Sequence, residues 1–135
     1  MASVPEASLN KILYVEDDPD IRAIAELALQ DVGGFNAALC SSGQQALEVA
    51  PEFEPDLILL DVMMLEMDGP ETMRRLRALD ATRATPVIFM TARIQSTEIQ
   101  EYLALGAIGV IPKPFDPMTL ADDIHRIAKE NTQGV

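Results

Sequence analysis

Four large aliphatic residues in a row, Leu57-Ile58-Leu59-Leu60, end abruptly in the carboxylate of Asp61. A run without polar alternation predicts a strand buried on both faces, which is the condition of a parallel sheet covered on two sides. Pro55 and Asp56 punctuate its start. Asp61 is then the first polar residue beyond the core, at the carboxyl end of a strand, where open α/β sheets bind ligands. Taken alone, the same residue could simply cap the next loop. The other strand ends decide between these readings.

Ile12-Leu13-Tyr14-Val15 repeats the pattern and also ends in acid, Glu16-Asp17-Asp18. Asp18-Pro19 has the form of an N-cap followed by proline in the first helical turn. Ile21, Ile24, Ala25, Ala28, Leu29 and Val32 then recur at helical spacing, and Gly33-Gly34 stops the helix. Phe35 to Leu39 is a weaker strand, and Ser42 with Gln45 resembles a capping box for a helix through Ala50. Pro51 and Pro55 bracket the way to the central strand. After Asp61, the turn Asp68-Gly69-Pro70 leads into a helix with Met73, Leu76 and Leu79 inward and Arg74, Arg75 and Arg77 on a solvated face.

A fourth buried strand, Val87 to Met90, ends in Thr91-Ala92. A helix through Ile99, Leu103 and Leu105 follows, and Gly106 closes it. Ile108 to Ile111 gives a fifth strand ending in Pro112-Lys113-Pro114, and Asp116-Pro117 starts a last helix lined by Leu120, Ala121, Ile124, Ile127 and Ala128. Five strand–helix repeats predict a doubly wound, flavodoxin-like (βα)5 sandwich, a five-stranded parallel sheet with helices on both faces and right-handed crossovers. All strands then point the same way, and their carboxyl ends gather Glu16, Asp17, Asp61, Thr91 and Lys113 along one edge.

Three neighbouring carboxylates repel one another, so something positive must sit among them. Lys113 supplies one charge, and a hard, oxygen-seeking divalent cation supplies the rest; Mg²⁺ held by one or two carboxylates, water and a phosphate is the usual arrangement. No His or Cys stands in the motif to favour zinc. A carboxylate beside Mg²⁺ can attack a phosphoryl group and form an aspartyl phosphate, with Thr91 and Lys113 holding the product's oxygens.

The 135 residues make one domain: a tail over 1–10, the folded unit over 11–130 and a tail over 131–135. With 22 acidic against 10 basic residues, the net charge of −12 repels a phosphate backbone, so no direct nucleic-acid binding is expected. Cys40 is the single cysteine, so no internal disulfide can form; it is expected to pack as a small hydrophobe in a reducing cytoplasm. Neither a secretory signal nor a membrane-length apolar run is present, and a soluble protein without membrane contact is expected.

From Lys11 to Lys129 the motifs resemble, in order, those of the receiver domains of two-component response regulators, with the fold of the chemotaxis regulators. The resemblance implies that Asp61 is the phosphoacceptor. It makes Asp17 a direct Mg²⁺ ligand, Glu16 a ligand through water, and the backbone carbonyl of Met63 a third metal contact. Thr91 matches the switch hydroxyl, with Ala92 beside it. Lys113 matches the family's lysine, and a cis Lys113-Pro114 bond is expected. Asp68-Gly69 matches the turn after the active-site loop. Several positions depart from the pattern. Leu65 stands where many receivers have proline, implying a more mobile loop. Val110 replaces the usual aromatic switch residue, leaving any switch to Thr91 and the helix after it. Pro112 should end the fifth strand early. Met63 and Arg93 occupy positions that tune phosphoryl loss in the family.

The resemblance implies a signalling switch that takes a phosphoryl group from a sensor histidine kinase or a histidine phosphotransfer protein, with Mg²⁺. Such a switch catalyses only its own phosphorylation and dephosphorylation. The added charge biases a loop and the helix from about Ser96 to Leu105, together with the fifth strand and last helix, which is also a face for a homodimer. A downstream protein target or onward transfer of the phosphoryl group would carry the signal, and the domain could equally belong to a longer chain. His125, in the last helix, reads as a surface residue rather than a phosphodonor. Two rivals are a Mg²⁺-dependent phosphohydrolase with an aspartyl nucleophile and a docking protein that is never phosphorylated. Phosphohydrolases of the haloacid-dehalogenase type place a second acid two residues past the nucleophile, where this chain has Met63. The complete set of Glu16, Asp17, Asp61, Thr91 and Lys113 argues against pure docking.

Overall fold

The computed structural model describes residues 9–133, and expectations for 1–8 and 134–135 lie outside them. Five strands form one parallel sheet: β1 (Lys11–Val15), β2 (Asn36–Cys40), β3 (Leu57–Asp61), β4 (Val87–Thr91) and β5 (Gly109–Pro112). Their spatial order is β2-β1-β3-β4-β5, so the chain reverses its direction of travel across the sheet between β1 and β3. Five helices connect and follow the strands: α1 (Pro19–Glu26), α2 (Gly43–Phe53), α3 (Gly69–Arg77), α4 (Ser96–Ala104) and α5 (Leu120–Gln133). This is the predicted flavodoxin-like sandwich.

Alternate residues of each central strand feed opposite cores. Ile12, Tyr14, Leu57, Leu59, Ile88 and Met90 pack with Ala25, Ala28 and Leu29 after β1 and with Leu120 and Ile124 of α5. Leu13, Val15, Ile58, Leu60, Val87 and Phe89 pack with Ala46 and Ala50 of α2, Met73 and Leu76 of α3 and Tyr102 of α4. Each of these fully buried Leu or Ile side chains contributes about 1.5–3 kcal/mol of transfer free energy. Cys40 joins the second core as a small hydrophobe, and burial pushes its thiol up to about 11. Leu9 is buried and the Asn10 amide donates to Asp56, so the sheet's start is tied to β3 from the first described residues.

Several details correct the expectations. The first helix widens to π geometry over Leu27–Val32, with the Gly33 amide reaching back five residues to Ala28, and leaves Ile24 and Val32 exposed rather than on the inner face. Helix α2 runs past Pro51 to Phe53, although the proline has no N–H to give the carbonyl four residues back, and Glu54 closes the helix in left-handed geometry at φ 55°. Its Ser42 hydroxyl accepts the Gln45 amide as expected, but Gln45 reaches back to the Ser41 amide instead of Ser42. Pro112 does not shorten β5. The next amide, Lys113, donates inward to Thr91, so position 112 faces the open side of an edge strand and no ladder bond is lost. In α4 the inward residue is Tyr102, against Phe89 at 5.3 Å between ring centroids, while Leu103 and Leu105 are exposed. Asp116 accepts the Met118 amide as a cap, although regular helix begins only at Leu120. His125 is not a plain surface residue; it is half-buried with its ring 5.2 Å from that of Phe35. Arg74 and Arg75 lie on the solvated face, whereas Arg77 is half-buried and donates to the Thr85 carbonyl.

Candidate functional site

Because β1 and β3 are neighbours at the point where the strand order reverses, their carboxyl ends open a crevice, and the residues just past each strand face it. Oxygens of Glu16, Asp17 and Asp61 lie there within 4.8 Å of one another. At an effective dielectric of ~20, such spacing costs roughly 3–4 kcal/mol for each charged pair. Lys113, arriving from β5, answers part of that: its Nζ is 2.8 Å from Glu16 Oε1 and 3.1 Å from Asp61 Oδ1. The Lys113-Pro114 bond is cis, as expected.

Burial of Asp61 raises its carboxyl above the ordinary range to about 6, against the pull of the Lys113 hydrogen bond and with the push of Glu16. For Lys113, burial works against the charge, yet the bonds to Glu16 and Asp61 more than offset it and the ammonium titrates above its usual value. Two acids thus share one cation, and the Asp17 carboxylate meets a backbone amide, that of Leu65, at 3.0 Å. Asp61 Oδ2 is buried with no hydrogen-bond partner. An orphaned carboxylate oxygen beside two further acids, all of them hard oxygen donors, is a fitting surround for a divalent cation.

Thr91 ends β4, buried, and its hydroxyl oxygen accepts the Arg93 amide at 3.0 Å, which leaves the hydroxyl proton free to be donated elsewhere. Met63 is exposed and lines an open hollow with Asp17, Met64, Leu65 and Asp68. The α3 start is drawn tight against the strand end: the Gly69 amide donates to Val62, and a Cβ at 69 would stand 2.5 Å from the Asp61 carbonyl oxygen. Only glycine fits that approach. The structure therefore brings Glu16, Asp17, Asp61 and Lys113 into one cluster, with Thr91 on the adjoining strand and Met63 on the loop beside it.

Three contacts escaped the sequence reading. The buried Tyr14 phenol donates to Glu16 Oε1 at 3.4 Å, and Arg22 donates to the Glu16 carbonyl at 2.8 Å. A tyrosine inside a doubly buried strand was the available signal for the first, since a buried phenol needs a partner. For the Leu65 amide the available signal was a residue other than proline at that position, which the sequence reading took only as a sign of a more mobile loop.

The sequence profile of the response regulator receiver domain matches residues 12–125. The chain belongs to that family. The receiver domain is 38% identical over 123 residues to the transcriptional regulatory protein CpxR of Klebsiella pneumoniae, covering 91% of this chain and 51% of the relative. It thus spans about half the length of the curated relatives it matches. Among solved structures it resembles the chemotaxis protein CheY4 of Vibrio cholerae, with TM-score 0.81, 32% identity and coverage of 89% of this chain and 99% of that one. It also resembles the receiver domain of the sensor histidine kinase PA1611 from Pseudomonas aeruginosa, with TM-score 0.75, 28% identity and coverage of 92% and 98%. That structure holds a magnesium ion in its active-site cleft. No helix among the described residues of the receiver domain is long and apolar enough to cross a membrane.

Proposed function

We propose that this receiver domain accepts a phosphoryl group on Asp61 from a phosphohistidine of a sensor histidine kinase or phosphotransfer protein, in the cytoplasm. The observation that carries the reading is the divided Asp61 carboxylate, Oδ1 held by Lys113 and Oδ2 bare. The bare oxygen is the nucleophile: it forms the new O–P bond as the donor's P–N bond breaks, and the leaving imidazole takes a proton from solvent. Lys113 fixes the orientation of the attacking group. As charge builds on the phosphoryl oxygens, the ammonium and the free Thr91 hydroxyl proton hold them.

Glu16, Asp17, Asp61 and the Met63 carbonyl are the residues that would hold Mg²⁺, Glu16 through water. Bound there, Mg²⁺ neutralises charge on the incoming oxygens. An apolar strip, Ile21 and Ile24 of α1 with Pro114 and Phe115, adjoins Lys113 and offers the donor protein a dock beside the acids. The chain catalyses its own phosphorylation and dephosphorylation and turns over no separate substrate. Its output is a changed surface at α4, β5 and α5, read by a downstream protein or a second copy.

Intact mass after incubation with acetyl phosphate tests the reading. The native chain is expected to gain one labile phosphoryl group only with Mg²⁺ present, and Asp61→Asn none. A gain that persists in Asp61→Asn would assign the acceptor elsewhere.

A further inference from the structure

We propose that the backbone N–H of Leu65 is a positioning donor for the metal ligand Asp17, so that this chain orients its cation site through the loop after β3. The inference rests on the cation-site reading above and adds to it a contact that a proline at position 65 could not make, having no N–H to give.

The Leu65 amide lies 3.0 Å from Asp17 Oδ2, across 48 residues of sequence. With Oδ2 so held, the carboxylate cannot turn about its Cβ–Cγ bond without breaking the contact, which fixes the orientation in which it would meet a cation. The loop has reason to keep the amide in place. At one end the Gly69 amide is bonded to Val62. In the middle Met67 donates to the Leu65 carbonyl at 2.7 Å around Glu66, whose φ is 67°. A left-handed glutamate in a three-residue turn persists only where neighbouring contacts over-determine it. The Asp17 carboxylate is one such contact, so loop and ligand hold each other.

The Leu65 side chain contributes little, being 81% exposed. Backbone and side chain can therefore be tested separately. Position 65 is not in left-handed backbone, where proline could not sit. Leu65→Ala keeps the donor and Leu65→Pro removes it. Outer contacts that orient a metal ligand change metal affinity by about 10- to 100-fold, and for an exposed loop the lower end applies.

Mg²⁺ titration calorimetry on the native chain, Leu65→Ala and Leu65→Pro, with the melting temperature of each in EDTA, reads the effect. The expected result is equal affinity for native and Leu65→Ala and a Kd about tenfold higher for Leu65→Pro. Equal affinity for all three overturns the proposal, as does a loss in Leu65→Ala matching that in Leu65→Pro. A second reading guards against a proline variant that unfolds: hydrogen exchange at the Leu65 amide of the native chain is expected to be slow and to quicken in Asp17→Ala. An amide that exchanges freely in the native chain overturns the proposal whatever the variants do. A native chain that binds no Mg²⁺ overturns the cation-site reading itself, an outcome distinct from a native chain that binds while the variants do not differ.

Discussion

Helices α3 and α4 are both nine residues long and both cover the same side of the sheet, yet they are held very differently. Helix α3 has the Asp68 carboxylate capping the Glu71 amide, Pro70 in its first turn, arginines in its last, and Thr72, Met73 and Leu76 buried. Hydrogen bonds from Arg74 and Arg75 hold the Glu71 carboxyl down to about 2. Helix α4 has no side-chain cap and no basic residue in its last turn, and buries only Tyr102. The Glu98 carboxylate in its first turn has a buried oxygen without a partner. Elements that move are drawn from the low-stability end of a fold. The difference fits an α3 that anchors the Asp61 loop and, in the proposed switch, an α4 after Thr91 that responds.

The strongest way to break that comparison is to remove matched leucines. Leu76→Ala, at a fully buried position, is expected to lower stability by about 3 kcal/mol, and Leu103→Ala by less than about 0.5 kcal/mol, in urea unfolding. Equal losses would show that α4 is anchored as firmly as α3.

Next in size is the charge at the edge that both helices flank. The folded Asp61 carboxyl titrates near 6, above its ordinary value, so between about pH 4 and 6 the folded state binds more protons than the unfolded. Stability therefore falls as pH rises through that window, and the deficit is complete above about pH 6. Asp61→Asn should raise metal-free stability by on the order of 2 kcal/mol at pH 7.5, with the gain fading toward pH 4. Melting curves across pH check it; a gain independent of pH would mean that burial of the charge is not its source.

The smallest effects come from the caps. Asp68→Ala is expected to cost about 1 kcal/mol, while Gln95→Asp, giving α4 the cap it lacks, should add up to a similar amount and slow amide exchange within α4. If exchange in α4 is already as slow as in α3, the contrast between them fails.

The sheet was legible because a strand buried on both faces must be apolar throughout, so its first polar residue marks both its end and the site. Glu16, Asp61 and Thr91 follow that rule directly, whereas Asp17 stands one residue further on and Lys113 closes a half-buried edge strand. The extent of α4 was legible too, but its inward residue was not. Ile99, Leu103 and Leu105 mark its length, but a four-residue edge strand offers the helix little to cover, and Tyr102 is the residue it buries. Pro112 was misjudged because the sequence shows the missing donor but not the direction it would have pointed. The π widening after Glu26 depends on how the chain meets Gly33 and Gly34, which no local pattern announces.

Lys113 binds different strands through different atoms: its amide to Thr91 at the end of β4, its ammonium to Asp61 at the end of β3 and to Glu16 just past β1. In network terms it is a hub joining four of the five strands. The remaining strand, β2, reaches the cluster through one main-chain bond, the Glu16 amide to the Cys40 carbonyl, which is indifferent to side-chain identity. The two ends of the sheet are thus wired to the cluster differently, one through the main chain alone and the other through both ends of a single lysine.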